Sequence, residues 1–156
     1  MMSQGGQGLA ATQVGWDERI LVVNVTGNPD ECYALINPEI IEKSRKTDTK
    51  EEGCLSFPMV FEKIKRPTTV TIRATGANGE IIESEQTGWM ARCIQHEMDH
   101  LNGVLFIDKM TSARKLKHRK KFAAFRNYYK AVKEIEAAQV EAAKATEAAK
   151  AAAVEG

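Results

Sequence analysis

The segment His96-Glu97-Met98-Asp99-His100 constrains this chain more than any other. It sets two imidazoles four residues apart with a carboxylate between them. Positions i and i+4 share one face of an α-helix, so His96 and His100 can hold a single metal ion together. Glu97 adjoins His96 and can stand close to that ion without binding it, free to take a proton from a bound water. A surface helix with two histidines by chance is the bland alternative. It is weakened by the count, since the chain has three histidines and two are in this segment.

A tetrahedral catalytic site takes a third protein ligand and leaves one position for water. Thermolysin-like zincins supply a downstream glutamate, but no acid occurs here from Lys109 to Lys133. The metzincin pattern H-E-x-x-H-x-x-G-x-x-H keeps its glycine as Gly103 and has Phe106 in place of its last histidine. The third ligand is therefore sought upstream, among Cys32, Cys54 and Cys93. Cys93 precedes His96 on the same helix, and one straight helix cannot easily wrap three ligands around a tetrahedral ion. Cys32 lies in the apolar run Cys-Tyr-Ala-Leu-Ile and reads as a small buried hydrophobe. Cys54 follows Gly53 where the flanks suit a turn into a strand, and it is the best candidate. A thiolate with two imidazoles suits Zn²⁺ or Fe²⁺ and matches Mg²⁺ or Ca²⁺ poorly.

Three blocks in order extend the pattern: Gly6-Gln7-Gly8-Leu9-Ala10-Ala11-Thr12-Gln13, Glu52-Gly53-Cys54-Leu55-Ser56 and Gln95-His96-Glu97-Met98-Asp99-His100-Leu101. On these blocks the chain resembles the peptide deformylases, over roughly Gly6 to Asp108. The resemblance implies hydrolysis of the formyl group from N-formylmethionyl peptides, releasing formate. It implies Cys54, His96 and His100 as metal ligands and Glu97 as general base. It adds the Gln13 side-chain amide and the Leu55 backbone N–H as donors to the developing oxyanion. Gly8 and Gly53 would pair with an extended substrate, as in strand addition. Gln7, Trp89, Arg92 and Cys93 map to the methionine pocket, with the Arg92 stem along its wall and its head in solvent. Asp99 either orients a ligand histidine or anchors the helix to a basic residue; anchoring is the expectation, with Arg66 as candidate partner. The implied ion is Fe²⁺, with Zn²⁺, Ni²⁺ or Co²⁺ as substitutes. Two other classes compete: a metallopeptidase, which would cleave internal amides, and a structural metal module, which would close its fourth position with Cys93.

The chain departs from the family pattern at both ends. Members usually carry a helix before the first block, which here begins at Gly6, so the expected form is a compact one without that helix. Such a form would suit a compact genome such as that of a bacterial virus. With 156 residues, 43% of them hydrophobic, one domain with a real core is expected. Three cysteines make no disulfide framework and fit a reducing compartment. No apolar run approaches a membrane span of about 18 residues, and no signal or transit pattern opens the chain. The expectation is cytoplasmic, in a bacterium or in a host cell if virus-encoded, with neither DNA nor membrane as partner.

Arg19–Val25 and Cys32–Ile36 read as strands around a Gly27-Asn28-Pro29-Asp30 turn, and Ile40–Lys46 and Val60–Lys65 as further strands. Thr69–Arg73 and Glu80–Ser84 flank the hairpin signal Asn78-Gly79. Gly88–Asn102 reads as a helix ended by Gly103, with Trp89, Cys93, His96 and His100 on one buried face. The fold class is α+β: small, mainly antiparallel sheets around a central metal-bearing helix, residues 1–111, followed by a long C-terminal helix, 112–156, in the same domain. Ser112 is the expected N-cap of that helix. The helix is basic at first and then alanine-rich, with thirteen alanines from Ala123 to Ala153, and its apolar anchors run out near Ile135. Residues 1–108 carry 10 Lys/Arg against 16 Asp/Glu, and residues 109–156 carry 12 against 5. The basic stretch is either a solvated face or a contact for a polyanion such as ribosomal RNA.

Overall fold

Seven strands between Gly8 and Thr87 build two antiparallel sheets. The computed structural model describes residues 5–154, with side chains to residue 146. A five-stranded sheet has the order β1 (Gly8–Ala10), β2 (Ile20–Val23), β3 (Tyr33–Lys43), β6 (Thr69–Thr75) and β7 (Ile81–Thr87). Between β3 and β6 the chain makes a two-stranded ribbon of β4 (Thr47–Cys54) and β5 (Phe57–Pro67). Every pairing is antiparallel. The first helix, α1 (Gly88–Leu101), leaves directly from the end of β7.

The core lies between the five-stranded sheet and α1. Leu21, Val23, Leu35, Val70, Ile72 and Ala74 from the strands meet Ala91, Cys93, Ile94 and Met98 from the helix. Each fully buried Val, Leu or Ile contributes about 1.5–3 kcal/mol, so this interface holds the histidine-bearing helix in place. Nine residues between Ala91 and His100 are buried. The helix ends at Asn102 with Gly103 beyond it at φ +70°. There Arg19 Nη1 donates to Leu101 O at 3.2 Å and to Asn102 Oδ1 at 3.2 Å, placing a cation where helix carbonyls lack partners.

The α+β class stands, and several expected element bounds do not. The runs expected at Cys32–Ile36 and Ile40–Lys46 are joined in one strand, β3, of 11 residues, which starts at Tyr33 and ends at Lys43. Its register against β6 shifts between Ile36 and Glu39 and again between Ile40 and Glu42, with Asn37 at φ +49°. Those irregularities break the alternation that a sequence pattern depends on. Cys32 is exposed, not buried, because it caps the 3₁₀ turn Pro29–Glu31 before β3 begins. Trp89 is 39% exposed, so the buried face of α1 starts two residues later than expected. The Asn78-Gly79 hairpin forms, closed by Gly76 N–H to Glu80 O at 2.8 Å and with Thr75 facing Ile81.

The expected single C-terminal helix is two. Helix α2 (Ser112–Lys117) and helix α3 (Arg119–Val154) are separated at His118. The cap is Thr111 rather than Ser112: its carbonyl accepts from Lys115 N–H at 3.0 Å and its hydroxyl from Arg114 N–H at 3.5 Å. The chain divides into two compact units between Lys115 and Leu116. In the second unit Phe122, Phe125 and Val132 are half-buried, whereas Leu116, Tyr129 and Ile135 are exposed. No helix among the described residues is long and apolar enough to cross a membrane.

Candidate metal centre and active site

Helix α1 and strand β4 bring three donors together. His96 and His100 lie one turn apart on α1, with ring centroids 5.1 Å apart. Cys54, the last residue of β4, has its Sγ 3.2 Å from His100 Nε2. Ligand atoms of Cys54, His96 and His100 all lie within 4.8 Å of one another, forming the only such cluster among the described residues. Cys32 and Cys93 are not part of it.

Cys54 and His96 hold one another in charged forms. Burial opposes ionisation of the Cys54 thiol, yet its hydrogen bonds with His100 and His96 outweigh that and bring its pKa down to about 6. Burial likewise disfavours a charged His96, but hydrogen bonds to Cys54 and Glu52 dominate and hold its pKa up at about 9. The thiolate is thus paired with a protonated imidazole, and an ion bound there would take the place of that proton. The donor set is N₂S, which fits Zn²⁺ or Fe²⁺. The residues present fit the implied ion.

Glu97 stands beside this cluster at 4% exposure, and its Oε2 is buried without a hydrogen-bond partner. Burial pushes its carboxyl up to about 7, against the pull of His96 and His100. An orphaned carboxylate at that pKa is poised to exchange a proton near neutral pH. Strand β1 passes close over it: a Cβ on Gly8 would overlap Glu97 Oε1 and stand 2.8 Å from Cys93 Sγ. Gln13, in the 3₁₀ turn Ala11–Val14, is fixed by Ala10 N–H donating to its Oε1 at 2.9 Å. Its Nε2 then points at Ser56 Oγ, 3.1 Å away, and at Cys54 Sγ, 3.8 Å away. Leu55 follows Cys54 in the turn between β4 and β5 and is partly exposed.

A cleft of about 690 Å³ opens onto Glu97, Cys54 and His96. All six expected substrate residues, Gln7, Gly8, Gly53, Trp89, Arg92 and Cys93, line it. Trp89 Nε1 donates to Gln7 Oε1, and Cys93 Sγ donates to Gln7 O at 3.3 Å. Arg92 departs from expectation. Its head does not reach solvent: the side chain is 3% exposed and donates to Glu52, to Asp48 and to Ile64 O. Two acids drawn in from β4 make burial favourable for a guanidinium that would otherwise snorkel. Asp99 does anchor α1, accepting from Arg66 Nη1 at 2.7 Å and pairing with Lys109 at 3.1 Å.

Two residues next to this set carry no role in the motif reading. Ser56 meets the Gln13 amide. Glu52 meets His96, its Oε2 lying 3.1 Å from His96 Nδ1. Strand alternation holds the clue for Glu52, since positions 52 and 54 fall on one face of β4.

Comparison with known proteins decides the family. The polypeptide deformylase family model matches residues 1–116. The chain belongs to the peptide deformylase family. A peptide deformylase of Thermotoga neapolitana is 48% identical over 121 residues, covering 78% of this chain and 72% of that protein. Peptide deformylase 2 of Nitrosomonas europaea is 49% identical over 111 residues, 71% of this chain and 60% of that protein. Among solved structures, a peptide deformylase from Plasmodium falciparum superposes with a TM-score of 0.80 at 41% identity, over 84% of this chain and 78% of that one. Peptide deformylases are metal-dependent hydrolases of a linear amide, so the three-block resemblance and the N₂S cluster agree.

Proposed function

We propose that this chain hydrolyses the N-formyl group of N-formylmethionyl peptides, using Cys54, His96 and His100 to hold one divalent ion and Glu97 to move the proton. The observation that carries this reading is the convergence of Cys54, His96 and His100 beside an unpartnered, buried Glu97 at the floor of an open cleft. When bound, the ion supplies Lewis acidity and lowers the pKa of water towards about 7.

Glu97 accepts the proton from the attacking water and returns it to the departing amine. Its pKa of about 7 lets one carboxylate do both. The Gln13 amide and the Leu55 backbone N–H donate to the oxygen on which charge develops, and the Ala10–Gln13 hydrogen bond preorganises that amide. Gly8 and Gly53 offer backbone groups to an extended peptide, with Gln7, Trp89 and Cys93 around its first side chain. Arg92 contributes its stem to the wall, its charge being tied back onto Glu52 and Asp48. Fe²⁺ is the ion we assign, with Zn²⁺, Ni²⁺ or Co²⁺ able to replace it, and anaerobic metal analysis of the purified protein tests this. The natural substrates are nascent chains in the cytoplasm, and the basic stretch from Lys109 to Lys133 is the surface we assign to the ribosome.

The deciding assay follows formate release from formyl-Met-Ala while peptide fragments are monitored in the same reaction. Formate without internal cleavage is expected. Internal cleavage without formate would make the chain a metallopeptidase.

A further inference from the structure

Three buried ion pairs meet on Glu52, a residue the reaction itself does not use. Glu52 lies on β4 two residues before Cys54 and is 5% exposed. Arg66 on β5 donates to both its oxygens, Nε at 2.6 Å and Nη2 at 2.8 Å. Arg92 on α1 also donates to Glu52 Oε1. Each arginine is itself held by a second acid, Arg66 by Asp99 and Arg92 by Asp48. Both carboxylate oxygens are thus clamped, and the lone-pair direction left on Oε2 meets His96 Nδ1 at 3.1 Å.

A carboxylate carrying two guanidinium groups can only accept, so the proton of this contact resides on His96 Nδ1. With Nδ1 committed to Glu52, Nε2 is the His96 nitrogen left to offer a lone pair to an ion. The same strand supplies the thiolate, so Glu52 also fixes where Cys54 arrives relative to α1. Arg66 grips both oxygens and Arg92 adds a donor from a second element, so the carboxylate is held from β5 and from α1 at once.

We propose that Glu52, locked by Arg66 and Arg92, is the positioning residue of the metal centre, selecting the His96 tautomer and setting the Cys54-to-α1 spacing. The proposal rests on the metal-centre reading above. Carboxylate partners of ligand histidines are costly to lose, typically about 10- to 100-fold in metal affinity.

The test measures Zn²⁺ affinity by chelator competition on refolded, metal-free protein, together with the visible spectrum of the Co²⁺ form. Glu52→Gln keeps an acceptor but loses the charge. It should weaken Zn²⁺ binding by about 10- to 100-fold and alter the Co²⁺ bands, in a sample whose far-UV circular dichroism matches wild type. Arg92→Gln, which removes one clamp and leaves Glu52 in place, should produce a smaller loss in the same direction, and it serves alone if Glu52→Gln does not fold. Wild-type affinity and spectrum in the variants that fold would overturn the positioning role and leave the metal-centre reading intact. Wild-type protein that binds neither Zn²⁺ nor Co²⁺ would overturn both.

Discussion

Glu97 is the residue on which the chemistry turns, because its Oε2 is the buried side-chain polar atom left without a hydrogen-bond partner among the described residues. It is not a ligand, so Glu97→Ala should retain a full complement of metal and still lose orders of magnitude in kcat. Metal analysis and turnover on the same sample check this, and near-normal turnover with metal bound would remove Glu97 from the mechanism. Gln13 makes a sharper case. Losing one preorganised oxyanion donor costs about 10²–10³ in kcat, so Gln13→Ala should fall by that order with folding unchanged. A change confined to KM would recast Gln13 as a ground-state contact. At this scale the histidine pair was readable from spacing alone, since its members sit one helical turn apart, whereas Cys54 came from weighing the three cysteines and from the motif resemblance. Arg92 was not, because the acids that draw its head inwards are 40 and 44 residues away in sequence. Long-range partners of that kind leave no local pattern.

Among the elements, β4 was the hardest to foresee. Its sequence, Thr-Asp-Thr-Lys-Glu-Glu-Gly-Cys, has one fully buried position, and that position is Glu52. A strand whose inward residue is a charge gives no hydrophobic alternation. It is stabilised instead by pairing along its whole length with β5, whose alternation buries Val60, Ile64 and Arg66. Helix α1 was the easiest, since its ligands, its apolar stripe and the glycine beyond it all agree. A consequence follows from how donors are divided between these two elements. Two donors come from α1 and one from the end of β4, so an ion would cross-link the helix to the ribbon. Metal bound only by the folded chain stabilises it by about 2.7 kcal/mol at a free concentration of 100 Kd. Calorimetry should therefore show a lower unfolding midpoint after chelation, recovered on adding Zn²⁺, and amide exchange near Cys54 should slow when metal is present. Identical midpoints with and without metal would mean that the cluster does not bind an ion in the folded state.

The molecule as a whole separates its chemistry from its charge. Every residue assigned here to metal, proton transfer or substrate precedes Lys115, within the unit that matches the family model. The net positive charge lies elsewhere: residues 116–156 carry 9 Lys/Arg against 5 Asp/Glu and residues 1–115 carry 13 against 16, the basic stretch from Lys109 to Lys133 running across the boundary. Truncation after Ile135 should accordingly leave turnover of formyl-Met-Ala unchanged, since the region removed is mostly alanine and charged residues and holds none of the site residues. If the basic stretch meets ribosomal RNA, replacing Lys117, Arg119, Lys120 and Lys121 with neutral residues should weaken co-sedimentation with ribosomes while short-peptide turnover stays the same. The wild-type association should also fall steeply as salt rises, because each neutralised phosphate releases counterions, with a log–log slope of about −0.7 per contact on single strands. Equal, salt-independent co-sedimentation of wild type and the neutralised variant would make the stretch a solvated helical face. Loss of short-peptide activity on truncation would instead show that the tail supports the catalytic unit, and the separation of charge from chemistry would fail.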